Sequence, residues 1–166
     1  MQGVQRPPLD PEEKRTALRR FTYGLYALGT AAGEDHNRAT VNWVTQVSFD
    51  PPLIAVSVEN DSHSIELIRS SNAFALSVFD EGAREEAGAL GKRWRVRPDK
   101  IDAVSYRLGA TGCPILDDAL AAIECRVVNS LPAGDSTLFV GEVIAAEVCR
   151  DGAPLTMAAA GFRHAG

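Results

Sequence analysis

The sequence predicts a mainly β fold: a closed or nearly closed antiparallel barrel with a few short peripheral helices. Three observations predict it. About seven segments carry strand-period alternation or a short apolar run, and only three short segments read as helix. Strands and helices do not alternate strictly, and the connections are compact turns rich in Gly, Pro, Asn and Asp. An antiparallel sheet of that many strands exposes two edges unless it curls, and closure removes them.

In chain order, Asp10-Pro11-Glu12-Glu13 opens a helix, with a capping carboxylate, Pro in the first turn and acids at the positive end of the dipole. It runs to about Arg20. Residues 23–32 form a strand, with Leu25, Ala27 and Gly29 on one face and Tyr26, Leu28 and Thr30 on the other. Residues 33–37 (GEDHN) turn the chain into a hairpin.

The second arm, residues 39–52, organises the rest. Val41, Trp43, Thr45 and Val47 alternate with Thr40, Asn42, Val44 and Gln46, and both sets mix apolar with polar side chains. Asp50-Pro51-Pro52 then removes two backbone donors and forces a turn into a strand over 53–59. Residues 60–64 (NDSHS) lead into a short helix over 64–71. A strand carrying Thr, Asn and Trp, followed by a hydroxyl-rich helix start, suits a planar polar ring and a phosphate.

Residues 73–79 form a strand apolar on both faces, hence central or covered, and 82–91 a short helix. Residues 92–100 (KRWRVRPDK) are a basic loop in an otherwise acidic chain. A short strand over 104–108 is punctuated by Gly112-Cys113-Pro114. Two long strands follow. In 119–131, Ile123, Cys125 and Val127 point one way and Glu124 and Arg126 the other. In 137–149, Leu138, Val140, Ile144, Ala146 and Val148 share a face interrupted by Glu142, a barrel-end or interface carboxylate. The tail over 154–166 carries Leu155, Met157, Phe162, Arg163 and His164.

At 166 residues the chain is expected to be one domain, with residues 1–10 a flexible N-terminal tail. A net charge of −5 argues against nucleic acid as a partner. No apolar run reaches membrane-spanning length, and the N-terminus has no signal-peptide core. Three scattered cysteines, Cys113, Cys125 and Cys149, favour a reducing cytoplasm, with Cys125 a buried small hydrophobe. No GxGxxG, phosphate loop or GxSxG elbow is present, and His36, His63 and His164 lack metal-ligand spacing. With few candidate acid–base groups, no catalytic side chain is expected, and the chemistry belongs to a bound cofactor.

Residues 39–78 (ATVNWVTQVSFDPPLIAVSVENDSHSIELIRSSNAFALSV) resemble the core of the flavin reductase-like family, the FMN-binding split barrels. The likeness continues in Thr111-Gly112-Cys113-Pro114-Ile115-Leu116-Asp117, in residues 120–128 and 134–143, and in Pro154-Leu155, spanning roughly 17–163. Tyr23-Gly24-Leu25-Tyr26 also resembles the reductase modules fused to flavodiiron proteins. The resemblance implies an antiparallel Greek-key split barrel, a homodimer with flavin near the subunit interface, and reduction of FMN or FAD by NADH or NADPH. It implies an NAD(P)H-dependent flavin reductase supplying reduced flavin to a partner monooxygenase. An FMN-retaining electron-transfer flavoprotein and a non-catalytic flavin-binding barrel stay open.

Carried over by residue, Thr40, Asn42, Trp43, Val44 and Thr45 would line the isoalloxazine, largely through backbone groups. Ser57, Ser62, His63 and Ser64 would face the ribityl chain and phosphate. Relatives often carry Lys or Arg where this chain has Asn60-Asp61-Ser62-His63, and Glu59 and Asp61 would repel a phosphate. The compensating charge is then His63, or the loop with Arg93 and Arg95 folding over the site. Phe162 and His164 would cover the nicotinamide side.

Overall fold

The computed structural model describes residues 7–163. Residues 1–6 and His164 lie outside the described residues, so the expectations for the N-terminal tail before Pro7 and for His164 do too. The described residues hold nine strands, four α-helices and one 3₁₀ turn. The strands are β1 (Tyr26–Ala32), β2 (Asp35–Val41), β3 (Val44–Ser48), β4 (Leu53–Glu59), β5 (Ala73–Val78), β6 (Tyr106–Leu108), β7 (Pro114–Leu116), β8 (Ala121–Ala133) and β9 (Ser136–Val148). The helices are α1 (Pro11–Leu18), α2 (His63–Ser71), α3 (Arg84–Leu90) and α4 (Met157–Ala160), with the 3₁₀ turn at Pro98–Ala103.

Seven strands form one antiparallel sheet in the order β2-β1-β5-β8-β9-β4-β3. Its two edge strands, β2 and β3, are neighbours in sequence. Three residue steps reach at most about 11 Å, so the edges must come together between Val41 and Val44. The sheet therefore curls into a barrel with a seam at Asn42-Trp43. The uninterrupted strand that residues 39–48 predict is in fact broken there. Alternation continues through the break, so the pattern conceals it. The hairpin turn is also tighter than expected: β2 begins at Asp35, and Gly33 takes φ +63°, a left-handed value suited to glycine.

The barrel interior is apolar. Leu28, Val56, Ile65, Ile68, Phe74, Leu76, Cys125 and Phe139 form one buried cluster. α2 contributes Ile65, Leu67 and Ile68, each worth about 1.5–3 kcal/mol when fully buried. A second cluster, including Leu25, Phe79, Leu90 and Leu155, packs α3 and the tail against β1. By contrast α1, capped by Asp10 as expected, buries none of its residues.

The β9 face differs from the sequence expectation, whereas in β8 Ile123, Cys125 and Val127 share the core side as expected. In β9 the core face is Phe139, Gly141 and Val143, because Phe139 and Gly141 meet Phe74 and Cys125 inside the barrel. The face bearing Leu138, Val140 and Ile144 is the outer one, so Glu142 interrupts no buried stripe. In β8 a bulge between Glu124 and Cys125 shifts the register. Glu124 is buried and accepts hydrogen bonds from Ala110 N (3.0 Å), Thr111 N (2.7 Å) and Thr111 Oγ1 (2.6 Å). Those bonds pin the β6–β7 hairpin, whose second strand hides in the Gly-Cys-Pro punctuation of the sequence. Burial pushes the Glu124 carboxyl upward, but these hydrogen bonds and nearby Arg107 hold it below the usual Glu value.

Candidate functional site

A cleft of about 580 Å³ opens beside the seam, within the range of about 300–1,000 Å³ common for small-molecule sites. Ala39, Thr40 and Val41 of β2, the seam residues Asn42 and Trp43, and Ser57, Val58 and Glu59 of β4 form its floor and one wall. Ser62, His63 and Glu66 at the start of α2 close one end, and residues 92–96 lie along the mouth. The structure therefore brings together Thr40, Asn42, Trp43, Ser57, Ser62, His63 and Arg93.

Four predicted residues lie elsewhere. Val44 and Thr45 line a separate apolar groove of about 320 Å³ across the seam, with Tyr26, Leu53, Ile123 and Val143. Ser64 sits one position past His63, where the helix turns its side chain inward. It is fully buried, and its hydroxyl accepts from Asn37 Nδ2 at 3.0 Å. Phe162 lines an adjoining recess of about 270 Å³ that shares Thr40, Val41, Asn42, Gly91 and Lys92 with the main cleft. Arg84 fixes that region, donating from Nε to Ala160 O at 2.7 Å with its guanidinium 5.5 Å from the Phe162 ring.

The polar ends of the seam residues are tied to their neighbours. Thr40 Oγ1 donates to Ala87 O at 2.6 Å, and Asn42 Nδ2 donates to Met157 Sδ at 3.0 Å. The Trp43 carbonyl accepts from Ser57 N at 3.0 Å. At the helix start Ser62 is the N-cap, its hydroxyl accepting from Ser64 N at 3.3 Å. α2 thus aims the positive end of its dipole at this corner.

Four cations border the cleft (Lys92, Arg93, Arg95, Lys100) against three carboxylates (Glu59, Asp61, Glu66), so the site is not acidic although the chain is. Arg93 reaches Asp61 at 3.1 Å, and Trp94 stacks on His63 with ring centroids 4.5 Å apart and planes 22° apart. His63 is held in turn by Asp35 at 3.1 Å. The basic loop does fold over the site.

Sequence reasoning missed three residues here. Lys100 is buried at the base of the loop, its Nζ donating to Leu90 O (2.9 Å) and Lys92 O (2.7 Å), and burial pushes its amine down to about 8. Arg38 is buried on the neighbouring β2 position. It donates to Val104 O and Ile101 O and stacks 3.8 Å from the Tyr106 ring centroid. Burial lowers its value too. Asn37 lines the cleft, and its buried Oδ1 has no partner among the described residues. Full burial of cations has no sequence signature, since such residues are overwhelmingly exposed.

A cleft walled by the seam residues, with an anion-favouring helix start at one end and a buried acceptor without a partner among the described residues, fits a ring bearing a hydroxylated, phosphorylated chain. The flavin reductase-like domain family matches residues 18–166. The chain is 37% identical over 146 residues to the ferric-chelate reductase (NAD(P)H) of Archaeoglobus fulgidus, covering 86% of this chain and 85% of that protein. It is 35% identical over 144 residues to an NADH-dependent flavin reductase of a Rhodococcus species, covering 85% and 79%. Against two further relatives, at 35% and 34% identity, it spans only 63% and 44% of their length. In three dimensions it is similar to BorF, the flavin reductase component of a bacterial two-component tryptophan halogenase (TM-score 0.78, 33% identity, 89% of this chain and 92% of that one). The seam, the cleft beside it and a match over nearly the whole chain lead to one conclusion: this protein belongs to the flavin reductase-like domain family.

Proposed function

We propose that this chain is an NAD(P)H-dependent flavin reductase that supplies reduced FMN or FAD to a partner monooxygenase. One observation carries the reading: a single cleft joins the barrel seam to the capped start of α2 under a cationic loop. The names of similar proteins support it.

Thr40, Asn42 and Trp43 would hold the isoalloxazine at the seam, and Ser57 and the Asn37 Oδ1 the ribityl hydroxyls. Ser62, His63 and Arg93 would hold the phosphate. Bound flavin supplies the hydride acceptor, and NADH or NADPH the hydride. The protein's own work is alignment: the floor fixes one face, and the recess lined by Phe162 and Arg163 receives the nicotinamide beside it. A direct hydride transfer does not require a side chain to move a proton.

The outer surface supports a homodimer. Val47 and Phe49 on the β3 edge are 51% and 91% exposed, and Val128, Leu131 and Ile144 are exposed as well. With the apolar groove at Val44 and Thr45 they give a surface suited to a second copy. A seven-stranded sheet that draws on both ends of the strand sequence supports a single domain across the described residues. Three free thiols support a cytoplasmic setting.

The test is an absorbance titration with FMN and FAD, then anaerobic addition of each nucleotide. Nucleotide oxidation dependent on added flavin is the expected result. Absence of any flavin spectral change, with no turnover from either nucleotide, sinks the reading. Flavin retained through gel filtration, with slow reduction of free flavin, would point to an electron-transfer flavoprotein instead.

A further inference from the structure

Beyond the flavin corner, residues 92–97 (KRWRVR) form a tight strap whose purpose the cleft alone does not explain. Val96 N and Arg97 N both bond Arg93 O at 3.0 Å, and Lys100 clamps its base to Leu90 and Lys92. The strap is thus held in one shape, and that shape sets Trp94 flat on His63, at the end of the cleft where a chain phosphate would sit. Trp94 keeps 36% of its surface exposed. Arg95, next along the cleft mouth, makes no ion pair among the described residues, while Arg93 is engaged by Asp61.

We propose that this strap is a subsite for the adenosine diphosphate arm of a dinucleotide, with the adenine stacked on Trp94 and the outer phosphate against Arg95. The proposal rests on the flavin reading of the cleft and deepens it by naming a preference. An aromatic plane beside a cation at the phosphate end is what a nucleobase and its diphosphate require. FMN ends at the helix-start corner, within reach of Arg93 but short of Trp94 and Arg95. FAD continues past that corner toward Trp94. NADH and NADPH carry the same arm, so the chemistry is shared and the experiment separates the sources.

The test measures dissociation constants for FMN and FAD, and KM for NADH and NADPH, in the full-length chain and in Trp94→Ala, Trp94→Phe and Arg95→Ala. Thermal midpoints confirm that each variant folds. Trp94→Ala is expected to weaken FAD about tenfold, the worth of one base–aromatic stack, and to leave FMN within about twofold. Trp94→Phe retains most of the FAD affinity. A rise confined to KM for a nicotinamide nucleotide also upholds the subsite and assigns it to that ligand. Equal losses for FMN and FAD overturn the proposal, because Trp94 would then be only a cover for the cleft. No loss for any adenine-bearing ligand overturns it as well. A wild-type chain that binds neither flavin defeats the cleft reading itself, and that result is visible before any variant is made.

Discussion

The Asn37 side-chain amide donates to the Ser64 hydroxyl across 3.0 Å, joining β2 to the first turn of α2 inside the barrel end. Both residues are almost wholly buried. Ser64 is therefore a structural tie, and the hydroxyl that faces the cleft is that of Ser62. Ser64→Ala leaves a buried donor unsatisfied and is expected to cost about 1–3 kcal/mol, seen as a lower denaturant midpoint. Its flavin affinity, once folded, stays near wild type. Ser62→Ala loses its cap, about 1 kcal/mol, and weakens flavin binding as well. Equal effects of the two substitutions on affinity would contradict this division.

Lys100 gives the fold an unusual alkaline response. Burial holds its amine at about 8, below the ordinary 10.5, so between those values the folded chain binds fewer protons than the unfolded one. Stability therefore rises with pH across that window, and the gap corresponds to roughly 3 kcal/mol. Chemical denaturation of wild type and Lys100→Met at both ends of the window measures it. The wild-type increment is expected to exceed that of the Met variant, and parallel curves would refute it.

Glu124 gives a slope of the same sign at the acidic end. Its carboxyl lies below the usual Glu value in the fold, so the stability it confers is full above the unfolded value of about 4.5 and fades as pH falls through the folded one. Glu124→Ala strands the amides of Ala110 and Thr111 and frees the β6–β7 hairpin. A loss of about 2 kcal/mol at neutral pH is expected, shrinking in acid. Calorimetry at neutral and acidic pH reads the difference.

Arg93 and Asp61 are both largely exposed, so their ion pair adds little to stability. Arg93→Ala is expected to leave the thermal midpoint unchanged and to weaken FMN about fivefold at low ionic strength, an effect that fades in salt. Asp61→Asn moves affinity the other way. Affinities of both variants that do not respond to salt would disprove an electrostatic role.

The strand order and the site depend on features of unequal legibility. α2 and its cap were readable because Ser62 precedes a helical run. The cleft residues were readable because Thr40, Asn42, Trp43 and Ser57 stand in a recognisable order. The break after Val41 was not, since alternation runs on through Asn42 and Trp43 and only pairing partners reveal that it changes edges. The β9 face was misassigned because Gly141 has no side chain to mark it, though its place is filled by Phe74 and Cys125. Lys100 and Arg38 look like any solvated cation until the backbone carbonyls around them are known. Short-range pattern fixes elements, while partners many residues away decide which polar groups are buried.

Since one short junction carries the chain from the first rim of the barrel to the last, whatever wedges there braces both rims simultaneously. Amide exchange in β2 and β3 is then coupled, although six ladders separate them in the strand order. A guest at Asn42-Trp43 slows deuterium uptake in both strands together and leaves β5, in the middle of the sheet, almost unaffected.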